Sequence, residues 1–208
     1  MRGFVRTAVP DVLILKGDSW AKKWIELRER NTSATFSWYQ HENRTAREWL
    51  IPILRAMTAG HCSFCEAFPL EGQSNEPIEH FRPKSKFHSL AYDWSNLYYC
   101  CEKCQSSKGE QWSEDLLAPD APGYRWSDWF EFDYTTGQLK PNTFAHSTSQ
   151  ERASVTIRLY GLDSSERVRR RILELKKWTH ADKQSRNIDD FSDRDYLENN
   201  PSERSSLA

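Results

Sequence analysis

The sequence predicts an α+β chain built around one metal-stapled strand-loop-strand-helix unit, with helices before and after it. Three observations carry that expectation. Two Cys-x2-Cys pairs, Cys62/Cys65 and Cys101/Cys104, stand 35 residues apart. Between them lie two short apolar segments, residues 77–81 and 96–100, separated by a basic loop. On either side, apolar residues recur at helical spacing.

Composition bounds the reading. At 208 residues the chain suits one domain with helical extensions. Apolar residues make up 38 %, and 9 Trp, 10 Phe and 8 Tyr give an aromatic-rich core. A formal net charge of −1 gives no global field toward nucleic acid, so such binding rests on local clusters. The longest aliphatic run near the start, Val12-Leu13-Ile14-Leu15, is too short for a membrane span or signal core. A soluble, cytoplasmic protein with no membrane partner is expected.

The elements follow in order. Residues 1–17 read as irregular. Asp18-Ser19 caps a helix to about Arg30, with Trp20, Trp24 and Leu27 on one stripe. Residues 31–43 read as loop. A second helix runs from about Thr45 to Thr58, carrying Trp49, Leu50, Ile53, Leu54 and Met57; Pro52 kinks it or marks its start, and Gly60 stops it. Residues 66–76 are turn-rich, and a helix begins near Cys101. After a loop over 113–128, residues 129–134 alternate as a strand and 135–137 turn. Thr148/Glu151 and Asp163/Glu166 make capping-box patterns for two helices split by Gly161. Val155 and Leu159 line the first, and Val168, Ile172 and Leu175 the second. Residues 151–180 hold eight Lys/Arg against four Asp/Glu, read as a solvated basic face. The expected divisions are a helical segment over 1–58, a metal-stapled core over 59–120, a strand with helices over 121–180, and a polar, flexible tail over 181–208.

Five cysteines, four of them in matched pairs, fit a tetrahedral structural zinc better than a disulfide framework. Four thiolates fill the coordination sphere and leave no open position for catalysis; Cys100 is spare. The Glu79-His80 dipeptide pairs a carboxylate, able to hold a hard divalent cation, with a histidine able to take a proton from water. Strand alternation puts neighbours on opposite faces, so both enter one site only at a strand end, and Pro83 suggests that end. Arg82, Lys84 and Lys86 suit a phosphate backbone, and Lys108 reaches one from the helix side. Asn96 hydrogen-bonds the long loop and orients His80. Each of these residues also has a bland reading, as a charged loop, a solvated strand edge or a turn asparagine.

Taken together, Cys-x2-Cys, then Glu79-His-Phe-Arg-Pro-Lys-Ser85, Trp94-Ser-Asn96-Leu97, Cys101-x2-Cys104 and Lys108-Gly109 resemble the HNH endonuclease family with its ββα-metal fold. The wording Ile78-Glu-His-Phe-Arg-Pro-Lys-Ser85 is similar to the HNH effectors of Septu-type and retron-associated anti-phage systems. The likeness covers residues 58–120, with weaker echoes in 116–120, 129–132 and 156–162. It implies a metal-dependent endonuclease acting on nucleic acid, DNA ahead of RNA. His80 would be the general base and Asn96 the residue holding loop and histidine. Glu79 would be a ligand of a catalytic Mg²⁺ or Mn²⁺. Where the family carries Asn or His as the next ligand, this chain has Gln105. The resemblance also implies an ABC- or SMC-type ATPase partner. Gln105 favours the alternative, a catalytically weak or inactive zinc module that binds nucleic acid or a partner protein.

Overall fold

The computed structural model describes residues 1–70 and 77–201. Part of the turn-rich stretch expected over 66–76, and the end of the expected tail, lie outside them.

Helix α1 spans Asp11–Arg30. It starts earlier than the Asp18-Ser19 expectation because Pro10, with φ −60°, sets the chain at its N-cap and Asp11 supplies an acidic first turn. Trp20 and Trp24 face inward as expected, joined by Val12 and Leu13, whereas Leu27 is largely exposed. The following segment is not all loop. Strands β1 (Gln40–His41) and β2 (Arg44–Thr45) form a tight hairpin. Its two turn residues, Glu42 and Asn43, both have positive φ, the geometry that matches strand twist.

Helix α2 covers Ala46–Met57. Thr45 and Glu48 close a reciprocal capping box at its start, and the helix continues through Pro52. Leu50, Ile51 and Leu54 are buried on its inner face, each contributing about 1.5–3 kcal/mol of apolar burial.

Strands β3 (Ile78–His80) and β4 (Leu97–Tyr99) pair antiparallel, with His80 opposite Leu97 and Glu79 opposite Tyr98. Helix α3 (Glu102–Lys108) follows with Cys101 as its N-cap. This is the expected order of strand, loop, strand and helix. All six strand residues are buried; α2 packs against β4, and from the N-terminal arm Phe4 meets the Tyr98 ring and Arg6 donates to the Leu97 carbonyl. Phe64 stacks on Tyr160 with ring centres 3.9 Å apart, tying the cysteine region to the C-terminal helices.

Strand β5 (Phe130–Asp133) has a partner that the sequence reading lacked, β6 (Gln138–Pro141). Helix α4 (Ser147–Tyr160) is capped by His146 rather than Thr148, and ends at Gly161 in the left-handed region. Helix α5 (Ser165–His180) begins after Ser164; Asp163 instead accepts from the Leu139 amide. The expected inner stripe of α5 is only half-buried at Val168 and Leu175 and exposed at Ile172. Its buried residues are Arg167, Arg171 and Glu174, while Ile172 and Leu173 are 36 % and 48 % exposed.

The tail expectation also changes. Residues Ile188–Asp190 make a helical turn and Arg194–Glu198 form α6. Ser192, Asp193, Arg194, Tyr196 and Leu197 are buried. Arg194 pairs with the buried Glu66 at 3.1 Å, and Asp193 accepts from Arg170 at 2.7 Å. The segment is polar in composition but orders because its charges meet partners far away in sequence. Among the described residues, no helix is long and apolar enough to cross a membrane.

Candidate functional site

Two turns of chain bring the cysteine pairs together. The Sγ atoms of Cys62, Cys65, Cys101 and Cys104 lie within 4.8 Å of one another. Four sulfurs around a tetrahedral ion with bonds of about 2.3 Å sit roughly 3.8 Å apart, so the cluster is at metal-binding scale. Backbone amides support the sulfurs: Cys101 N–H donates to Cys62 at 3.3 Å and Cys104 N–H to Cys101 at 3.4 Å. The four cysteines are placed to hold a metal ion. Cys100 is fully buried beside them, but turns its thiol to the Cys101 carbonyl.

His80 ends β3, 5 % exposed. Its Nε2 lies 3.0 Å from the Ala91 carbonyl oxygen. A carbonyl only accepts, so Nε2 carries the proton and Nδ1 keeps its lone pair. Trp38 stacks on the ring at 5.4 Å and Phe36 meets it edge-on at 5.3 Å. Burial, with the charge of Lys84 adding to it, pushes His80 down to about 3.

Asn96 explains how the carbonyl that holds His80 is itself held. Its Oδ1 accepts from the Arg82 amide at 2.7 Å, and its Nδ2 donates to the Arg82 and Leu90 carbonyls, both at 3.0 Å. One buried amide therefore clamps both ends of the 82–90 loop. It reaches His80 through the adjacent Ala91 rather than by a direct bond.

Glu79 lies on the α3 side. The Lys108 Nζ stands 2.5 Å from its Oε1 and 3.1 Å from the His80 carbonyl. Both side chains are interior, Lys108 0 % and Glu79 3 % exposed. Burial pushes the Glu79 carboxyl up to about 7, against the pull of Lys108. Gln105 aims its amide nitrogen at the Ile78 carbonyl, 3.1 Å away. The structure thus gathers Glu79, Gln105 and Lys108 together and gives His80 different neighbours. Lys108, expected at a phosphate, is corrected to an interior ion-pair partner, because the otherwise unpaired Glu79 carboxylate draws it in.

The basic loop divides likewise. Lys86 is exposed. Lys84 is partly buried, with its ammonium 5.1 Å from the Phe36 ring centre. Arg82 lies over Trp112 at 4.9 Å and faces Glu114 at 3.7 Å. Asp120 is an anchor, taking Arg6 at 2.6 Å and the Tyr98 hydroxyl at 2.5 Å.

Sequence reasoning missed Phe36 and Trp38, which lay in a stretch read as loop. Their signal was the alternation Phe36-x-Trp38, with Tyr39 beside it, aromatics in an otherwise polar run. It also missed Arg167 and Arg170, which reach the cysteine cluster from α5. The Arg-rich i, i+3, i+4 pattern from Arg167 was visible, but polar spacing alone does not say which face is buried.

No family model matches the chain. Over 119 residues it is 29 % identical to the Septu protein PtuB of Bacillus mycoides strain KBAB4, covering 49 % of this chain and 39 % of that protein. Over 56 residues it is 34 % identical to the Septu protein PtuB of Bacillus thuringiensis, covering 27 % of this chain and 22 % of that one. The chain therefore spans well under half the length of these relatives, and the homology is weak.

Proposed function

We propose that the chain is an HNH-type endonuclease, the effector of a Septu-type anti-phage system, with His80 as general base. The observation that carries this reading is the state of His80: one tautomer, fixed by the Ala91 carbonyl, at the end of a hairpin that runs into α3. With Nε2 protonated, Nδ1 is the atom that takes a proton from water. The water oxygen bonds to phosphorus, its proton passes to Nδ1, and the bond to the bridging ester oxygen breaks, the leaving oxygen taking a proton from solvent. Lys84, whose charge acts on His80, would be a cation for the phosphate. Lys86 and Arg82 extend the electrostatic path along the backbone. Phe36 and Trp38 must move for water to reach Nδ1, and the same opening must lift the burial that holds His80 down to about 3 before it can serve as base.

Structural zinc is the ion that four thiolates and no fifth ligand suit. It would pin both ends of the 66–100 segment, and its binding energy would be folding energy. Mg²⁺ or Mn²⁺ on Glu79 and Gln105 does not fit the residues as placed. Lys108 occupies the carboxylate and the Gln105 amide nitrogen points inward. Similarity to the Septu proteins supports a defence role; the family resemblance implies two partners, nucleic acid as substrate and an ABC- or SMC-type ATPase.

The closed Glu79–Lys108 pair favours a second reading, a non-catalytic zinc module that binds nucleic acid or a partner. One experiment separates them. The purified full chain is incubated with labelled DNA and RNA, with and without an ATPase of such a system, in Mg²⁺, Mn²⁺ or EDTA. Cleavage that disappears in His80→Ala, with metal content and circular dichroism unchanged, is expected. Equal cleavage by His80→Ala refutes the assigned base, and binding without cleavage under every condition selects the second reading.

A further inference from the structure

Arg167 is a buried cation that meets no carboxylate among the described residues. It is 3 % exposed. Its Nη2 donates to the Cys104 sulfur at 3.1 Å, while its Nη1 is buried with no hydrogen-bond partner among those residues. A guanidinium stays charged at any working pH, and burying one without a counter-charge costs several kcal/mol. Arg170, one turn on, differs. It reaches Cys65 Sγ at 3.7 Å and the Cys65 carbonyl, but also has Asp193 at 2.7 Å.

We propose that Arg167 is the outer-sphere counter-ion of the Cys62/Cys65/Cys101/Cys104 metal site, and that α5 is held on the core by this contact. The proposal rests on the zinc reading. Zn²⁺ with four thiolates carries two net negative charges, and Arg167 is the cation placed to offset one of them by a charge-assisted N–H···S bond. The face α5 turns inward supports this. It is Arg167, Arg171 and Glu174, with Ile172 and Leu173 left outside. Arg171 donates to the Gly137 and Leu162 carbonyls, and Glu174 accepts from the Ser192 amide. A helix docked by polar anchors gains little from apolar burial, so its attachment depends on the charge it meets. Arg167 is a positioning residue for the metal site; it need not touch substrate.

The test compares wild type, Arg167→Lys and Arg167→Met as full chains, with metal content measured first. Wild type is expected to carry one zinc per chain. Zinc transfer to a chromogenic chelator should be about 10–100-fold faster in Arg167→Met, with Arg167→Lys between the two. In the Co²⁺-substituted proteins, loss of the N–H···S bond should move the thiolate-to-metal charge-transfer band to longer wavelength, with Lys partly restoring it. Should Arg167→Met not fold, the Arg167→Lys band and release rate decide alone. Unchanged release and an unchanged band in the folded variants overturn the role of Arg167. A wild-type protein without bound metal overturns the zinc reading on which it stands.

Discussion

Replacing Lys108 with Met tests whether this lysine belongs to the interior or to a nucleic-acid surface. The substitution keeps the length of the chain and removes the ammonium. In the structure that ammonium is 2.5 Å from Glu79 Oε1, 3.1 Å from the His80 carbonyl and 3.4 Å from the Gly109 carbonyl. Removing one member of a buried ion pair costs about 3–5 kcal/mol when the other stays charged. Glu79 has an escape, because burial already pushes its carboxyl up to about 7, and without Lys108 it takes up a proton. The electrostatic loss is therefore cut, while two carbonyls lose a donor at about 1 kcal/mol each. The expected sum is about 2–4 kcal/mol. Urea unfolding of the metal-loaded protein measures it, and a cycle with Glu79→Gln isolates the pair, whose coupling should exceed about 1 kcal/mol. Coupling below about 0.5 kcal/mol, with weakened nucleic-acid binding in Lys108→Met, would refute the interior assignment.

Two further outcomes follow from the same geometry. Asn96→Ala strips the partners from the Arg82 amide and from the Arg82 and Leu90 carbonyls. It should cost about 2–4 kcal/mol and open the 82–90 loop to protease, and a loss under about 1 kcal/mol would count against the clamp. Trp38→Ala removes the ring stacked on His80. Acylation of His80 by diethyl pyrocarbonate, followed by mass spectrometry, should then speed up about tenfold or more, the effect of easing local opening by about 1.4 kcal/mol; an unchanged rate would mean that Trp38 does not control access.

Much of the frame was legible in the chain because its signals are local. Each Cys-x2-Cys pair sets two sulfurs about a turn apart, and the apolar runs at 77–81 and 96–100 became β3 and β4 within a residue or two. Apolar spacing likewise located α2. Errors arose where a local signal was absent or misleading. Pro10 started α1 where Asp18-Ser19 looked like the cap, and no residue type announced β6.

What the sequence determined by itself was the thiol set, the strand-loop-strand-helix order and the position of His80 at a strand end. What the tertiary structure alone decided was which charges go inside. Glu79 and His80 are adjacent in sequence yet their side chains meet different partners, Lys108 for one and the Ala91 carbonyl with Trp38 and Phe36 for the other, because alternate strand positions face different elements. Lys108 turned inward to Glu79, and α5 buried Arg167 and Arg171 more deeply than the expected Ile172. Patterns of hydropathy assign charged residues to water. A charge is stable inside only where a partner distant in the chain compensates it, and that partner exists only once the fold has brought the two together.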